Sequence, residues 1–212
     1  AYAAPQQFAP RAILGMWQQL GGQLSGQVRD GSIPANLQPI FNIESATLAE
    51  TIRDINKYSN NVMAQHLFLT LSQQQRGVGS FDASRDVMQR WWRERVGGEV
   101  PTFDNGSGLS REERISAQAL ARLLQVAWAS PHMSELMSSL PVTGLDGTMK
   151  RSKAQASAHL KTGSLRDVAG IAGFVDTASG KRLVVVAILH HANANAARPA
   201  LDAMIDWAGK QP

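Results

Sequence analysis

Three short runs near the C-terminus, "AHLKTGSL" (158–165), "GIAGFVDT" (170–177) and "KRLVVVAILHH" (181–191), decide the fold. Each reads as a strand, and "ASGK" (178–181) reads as the hairpin turn between the last two. Helical patterns come before them, and Arg198 to Ala208 closes the chain as one more helix. Helices first, then antiparallel strands, then a terminal helix is an α+β layout, with one sheet covered by helices.

The centre of the first run, Lys161-Thr162-Gly163, admits two readings. It is either an ordinary turn with a solvated lysine or an anion site. At a strand edge an ammonium and a hydroxyl can grip a carboxylate. Gly163 lets a ligand backbone pair with the strand, and the Ser164 amide can point at a developing oxyanion.

Working upstream, "LPVTGLDGTMKRS" (140–152) and "DNGSGLSREERIS" (104–116) read as loops. Ser116 caps a helix expected to run to Ala129. The second loop is either flexible, or a rigid lining of a cleft with Arg111 reaching a carboxylate. Asp82 to Val96 is amphipathic, with one of Trp91 and Trp92 expected in the core and one at its rim. Ser45 to Leu71 is helical but broken at "KYSNN" (57–61). Capping explains one polar residue there. A hydroxyl at Ser59 and an amide at Asn61 could also pass a proton and hold a substrate amide. "PQQFAPRAILGMWQQLGG" (5–22) reads as a helix closed by Gly21-Gly22, and "SGQVRDGSIP" (25–34) and "QPIFNIES" (38–45) as short extended pieces.

Composition bounds the function. The 212 residues are 43% hydrophobic, enough for one core or most of a larger one. There is no cysteine, so thiolate chemistry and disulfides are excluded. The net charge is +4, with Lys and Arg scattered and no basic run interleaved with aromatics, which argues against nucleic acid. The five histidines lack metal-ligand spacing, so no metal and no cofactor is expected. The longest apolar run, Leu183 to Leu189, is far too short to cross a bilayer. The first residues show no secretion signal and no initiator methionine, so the chain is expected to begin inside a longer gene product.

Ser-x-Asn, a glycine loop and Lys-Thr-Gly, in that order, form the later portion of the penicillin-recognising serine enzyme pattern. With "DINKYSNNVMAQHLF", "DNGSGLSR", "LPVTGLDGT" and "AHLKTGSL", the chain resembles the DacB-like D-alanyl-D-alanine carboxypeptidase/endopeptidase family, the class C penicillin-binding proteins. The resemblance covers most of the chain and implies a β-lactamase/transpeptidase-like fold. It also implies catalytic roles for Ser59, Asn61 and Lys161, and substrate-binding roles for Thr162, Gly163, Ser164, Arg111 and Arg166. Arg166 stands where some relatives have a shorter neutral side chain, so the preference for a stem-peptide side chain is not carried over.

The family's nucleophile motif, Ser-x-x-Lys, is missing: no serine here has lysine three positions later. Residues 1–212 are therefore expected to be the C-terminal portion of a catalytic domain. The nucleophile segment would be outside the sequence, cleaved away, or on another polypeptide. The implied partners are a peptidoglycan stem peptide, β-lactams and that missing segment, in the periplasm. Exposed apolar surface left by the missing helix would favour a partner segment, a swapped homo-oligomer or poor solubility. The rival to an enzyme is a module that binds stem peptides without cutting them.

Overall fold

The computed structural model of the protein describes residues 4–29 and 31–212. These divide into two units, ending and beginning at Ser45 and Ala46. In the first, α1 (Pro5–Gln19) ends as expected, with the Gly21 N–H donating to Gln18 O at 3.0 Å. The two expected extended pieces carry no ladder among the described residues, and Asp30 within the first lies outside them. Their Val, Ile and Phe content is strand-like, but a strand also needs a partner.

The second unit runs α2 (Leu48–Tyr58), α3 (Asn61–Arg76), α4 (Phe81–Arg95), α5 (Ala117–Trp128), α6 (Met133–Ser139), β1 (Ala158–Leu165), β2 (Val168–Asp176), β3 (Arg182–His190) and α7 (Arg198–Gly209). Thr47 opens α2 with a reciprocal capping box to Glu50, so the helix starts at Leu48, three residues later than Ser45. Ser116 caps α5 as expected, accepting from Ala119 N–H at 3.1 Å. In α4, Trp92 is 1% exposed and Trp91 39%, so one ring is core and the other rim. Sequence patterning did not reveal α6.

The strands form one antiparallel sheet in the order β1-β2-β3. The hairpin between β2 and β3 closes where Thr177 N–H donates to Lys181 O at 2.8 Å. Strand alternation sends side chains to two cores. Leu160, Ile171, Val175 and Val185 pack against Leu201 and Ile205 of α7. Phe174, Ala172, Val184 and Val186 pack against Leu124 of α5 and Met137 of α6. Each fully buried aliphatic side chain contributes roughly 1.5–3 kcal/mol. The sheet is therefore covered on both faces. β1 is one of its two edges, and among the described residues only the first half of that edge is paired: Leu160 N–H donates to Pro141 O at 2.8 Å, and Thr143 N–H to Ala158 O at 3.0 Å.

Candidate active site

Lys161, Thr162 and Gly163 lie inside the β1–β2 ladder, opposite Ala172, Ile171 and Gly170, which rules out the reading of these three as a turn. The turn comes later, at Arg166-Asp167, and β2 starts at Val168. The parity of the edge fixes what β1 presents. Leu160 and Ala158 turn their backbone groups outward, so Thr162 and Ser164 do the same. The Ser164 N–H thus faces the free edge. A Cβ built on Gly163 would meet open space, so a second chain can approach there.

The break in the helices creates the opposing wall. The Ser59 backbone, at φ 54° and ψ 51°, is left-handed and ends α2. It is the one non-glycine residue with positive φ among the described residues. Such a conformation costs about 1–2 kcal/mol. Asn60 then caps α3, its side chain accepting from Met63 N–H at 3.1 Å. Capping thus explains Asn60 and leaves Ser59 and Asn61 free for other work. The Asn61 amide donates to Ser107 O at 2.7 Å.

Across the gap, the Lys161 ammonium donates to Ser59 Oγ at 3.0 Å and to Thr162 O at 3.0 Å. Burial holds its pKa below the ordinary value. Among the described residues no carboxylate pairs with it. A half-buried cation without a counter-charge can accommodate an anion.

The glycine loop packs against α3 at Gly106. Gly106 lies so close to α3 that a Cβ would be 2.4 Å from Phe68 Cβ, and its φ of 70° is left-handed. Arg111 pairs with Asp167 in the β1–β2 turn, and that hydrogen bond holds the Asp167 carboxyl below its ordinary range. The sequence expectation of an acidic partner for Arg111 is thus met within the chain. Arg166 beside it is exposed.

Three supporting groups escaped the sequence reading. Asn195 clamps the end of β1, accepting from Ser164 Oγ at 2.9 Å and donating to Leu165 O at 2.8 Å. The Thr162 hydroxyl donates to Thr148 Oγ1 at 2.7 Å. Lys57 bridges from α2 to Asp146 Oδ2 and Leu140 O, both at 2.6 Å. Burial would raise the Asp146 pKa, but the bonds from Lys57 and from Val142 N–H outweigh it and lower the value. Such partners lie far apart in sequence and carry no local signal. "LPVTGLDGT" supplied the only hint.

A concavity of about 780 Å³ is lined by Gly97, Gly98 and Arg122, and another of about 410 Å³ by Trp128, Phe174 and Arg182. Neither includes a motif residue.

Residues 1–211 match the model of the D-Ala-D-Ala carboxypeptidase 3 (S13) family. A D-alanyl-D-alanine carboxypeptidase of Actinomadura sp. (strain R39) is 29% identical over 178 residues, which is 76% of this chain and 32% of that one. The D-alanyl-D-alanine carboxypeptidase DacB of Haemophilus influenzae is 26% identical over 86% of this chain and 40% of its own. The crystal structure of penicillin-binding protein 4 (dacB) from Haemophilus influenzae, complexed with a β-lactam, superposes with a TM-score of 0.77 at 21% identity, over 97% of this chain and 52% of that chain. A class A β-lactamase from Bacteroides cellulosilyticus superposes at 0.55 and 19% identity, over 77% of this chain and 63% of that one. The α+β, β-lactamase/transpeptidase-like fold is thereby established. The chain spans 32% and 40% of the length of these two carboxypeptidase relatives.

Proposed function

The chain belongs to the D-Ala-D-Ala carboxypeptidase 3 (S13) family, and from that premise we propose that it forms one half of the active site of a serine D,D-peptidase. The observation that carries this is the bond from the Lys161 ammonium to Ser59 Oγ, joining residues 102 positions apart, with no carboxylate partner for that ammonium among the described residues. The substrate is a peptidoglycan stem peptide ending in D-Ala-D-Ala, or a cross-link containing D-Ala. β-Lactams are inhibitors that imitate that end. The working place is outside the cytoplasm, in the periplasm. Among the described residues no helix is long and apolar enough to span a membrane.

In this reading the nucleophile belongs to a Ser-x-x-Lys motif, which residues 1–212 do not contain. Its serine attacks the carbonyl between the two D-alanines, and its lysine takes the serine proton. The developing oxyanion sits against the outward Ser164 N–H, a single donor being worth about 3 kcal/mol. The serine's own amide is the second donor. Ser59 passes the proton to the departing D-alanine amine, which leaves as the C–N bond breaks. Lys161 and Thr162 hold the terminal carboxylate, Asn61 orients the substrate amide, and Gly163 leaves room for the peptide to pair with β1. Arg111 and Arg166 border the end of that strand. Water then adds to the ester and releases the serine. Lys161 also lowers the pKa of the neighbouring lysine through its charge, which favours the neutral base.

The test is release of D-alanine from an acyl-D-Ala-D-Ala peptide by the complete polypeptide. Activity that falls at least about 100-fold in Ser59→Ala and Lys161→Ala supports the proposal. Binding of the peptide without release, by wild-type protein, would replace it with the binding-module reading.

A further inference from the structure

A hydroxyl has one proton to give. Thr162 spends that proton on Thr148 Oγ1, 2.7 Å away. A carboxylate gripped by Lys161 and Thr162 needs the same proton. We propose that Thr148 is a positioning residue of the carboxylate site: when an anion binds, Thr148 reverses the bond and donates its own proton to Thr162 Oγ1, which frees the Thr162 proton for the ligand. This rests on the function proposed above and extends it to a residue outside the three motifs.

The chemistry favours the reversal. A carboxylate oxygen is a stronger acceptor than a neutral hydroxyl, because charge-assisted bonds are shorter and stronger. Thr148 is exposed on the same side as Thr162. Once it has lost the Thr162 proton, its own proton has an acceptor at the same distance. A donor that is itself receiving a hydrogen bond is polarised and donates more strongly.

The placement of Thr148 is built rather than incidental. It sits in a single turn, Gly147–Met149, wedged between α2 and β1. Gly147 packs so closely on the end of α2 that a Cβ there would lie 2.5 Å from Lys57 O. The preceding Asp146 is tied to Lys57 Nζ at 2.6 Å and to Val142 N–H at 2.8 Å. Met149, which follows, is buried. Pro141 and Thr143 bind β1 directly. The turn is therefore fixed both to the helix that ends in Ser59 and to the strand that carries Lys161, and Thr148 is the side chain it offers to Thr162.

The experiment compares acylation rates of the complete polypeptide by benzylpenicillin, which carries a carboxylate, and by its methyl ester, which masks it. Thr148→Val keeps the shape of the side chain and removes the proton. It should slow acylation by the acid about 10- to 100-fold, the loss of a hydrogen bond to a charged group. The ester rate should stay within about twofold, and Thr148→Ser should restore the acid rate. Equal slowing of acid and ester in Thr148→Val would mean a structural role and would overturn the inference, as would no slowing of either. A wild-type protein that neither compound acylates would instead overturn the function on which the inference rests.

Discussion

Ser59 is held in a left-handed conformation that glycine adopts freely, and this separates its backbone cost from its side-chain role. Ser59→Ala keeps the strain and loses the bond to Lys161. Ser59→Gly loses the same bond but also releases the strain. The left-handed cost of about 1–2 kcal/mol is partly offset by the extra freedom of glycine in the unfolded chain, about 0.4–1 kcal/mol. The glycine variant should therefore be more stable than the alanine variant by about 0.5–1 kcal/mol. In a unit of this size that is about 1–4 °C in melting temperature. Denaturant titration of both variants in the complete polypeptide gives the difference, and acylation by benzylpenicillin gives the function. Both variants should lose activity to the same extent. Equal stability of the two would show that the backbone there is unstrained, and an active glycine variant would remove Ser59 from the mechanism.

Other positions give independent checks. Gly106→Ala combines a left-handed backbone with a clash against Phe68, so it should destabilise by roughly 2–4 kcal/mol in a denaturant titration. The Asp146 pKa is lowered in the folded state, so its contribution is present above the ordinary value near 3.8 and is lost as pH falls through the folded value. Asp146→Asn should accordingly flatten the acid limb of a stability–pH curve below about pH 4. Lys161 titrates below its ordinary 10.5 because of burial. Between that lowered value and 10.5 the unfolded chain binds more protons, so stability of the free protein should rise with pH there, and Lys161→Met should abolish the rise.

The sheet was legible because its signals are local. The three strands alternate correctly, and their hairpin residues lie within four positions of one another. The break at Ser59 was legible because polar residues interrupted an apolar helical pattern, and the split of Trp91 and Trp92 into one core and one rim ring because α4 is amphipathic; which ring is which came only from the fold. What stayed hidden depends on distant partners. Asn195 meets Ser164 across 31 residues, and Lys57 meets Asp146 across 89. Neither residue type is unusual where it stands, so only the folded chain reveals the contact. The extended pieces at 25–34 and 38–45 join no ladder among the described residues for a related reason: a strand-like composition does not supply a neighbour to bond with.

The account rests on a site divided between this chain and a nucleophile elsewhere. The most direct measurement is the intact mass and peptide map after mixing with benzylpenicillin, for this chain alone and for the complete polypeptide. This chain alone should stay near 22.9 kDa, and the complete polypeptide should carry the adduct on the serine of a Ser-x-x-Lys segment. An adduct on any serine of residues 1–212 would contradict the account, because the nucleophile would then lie within this half of the site.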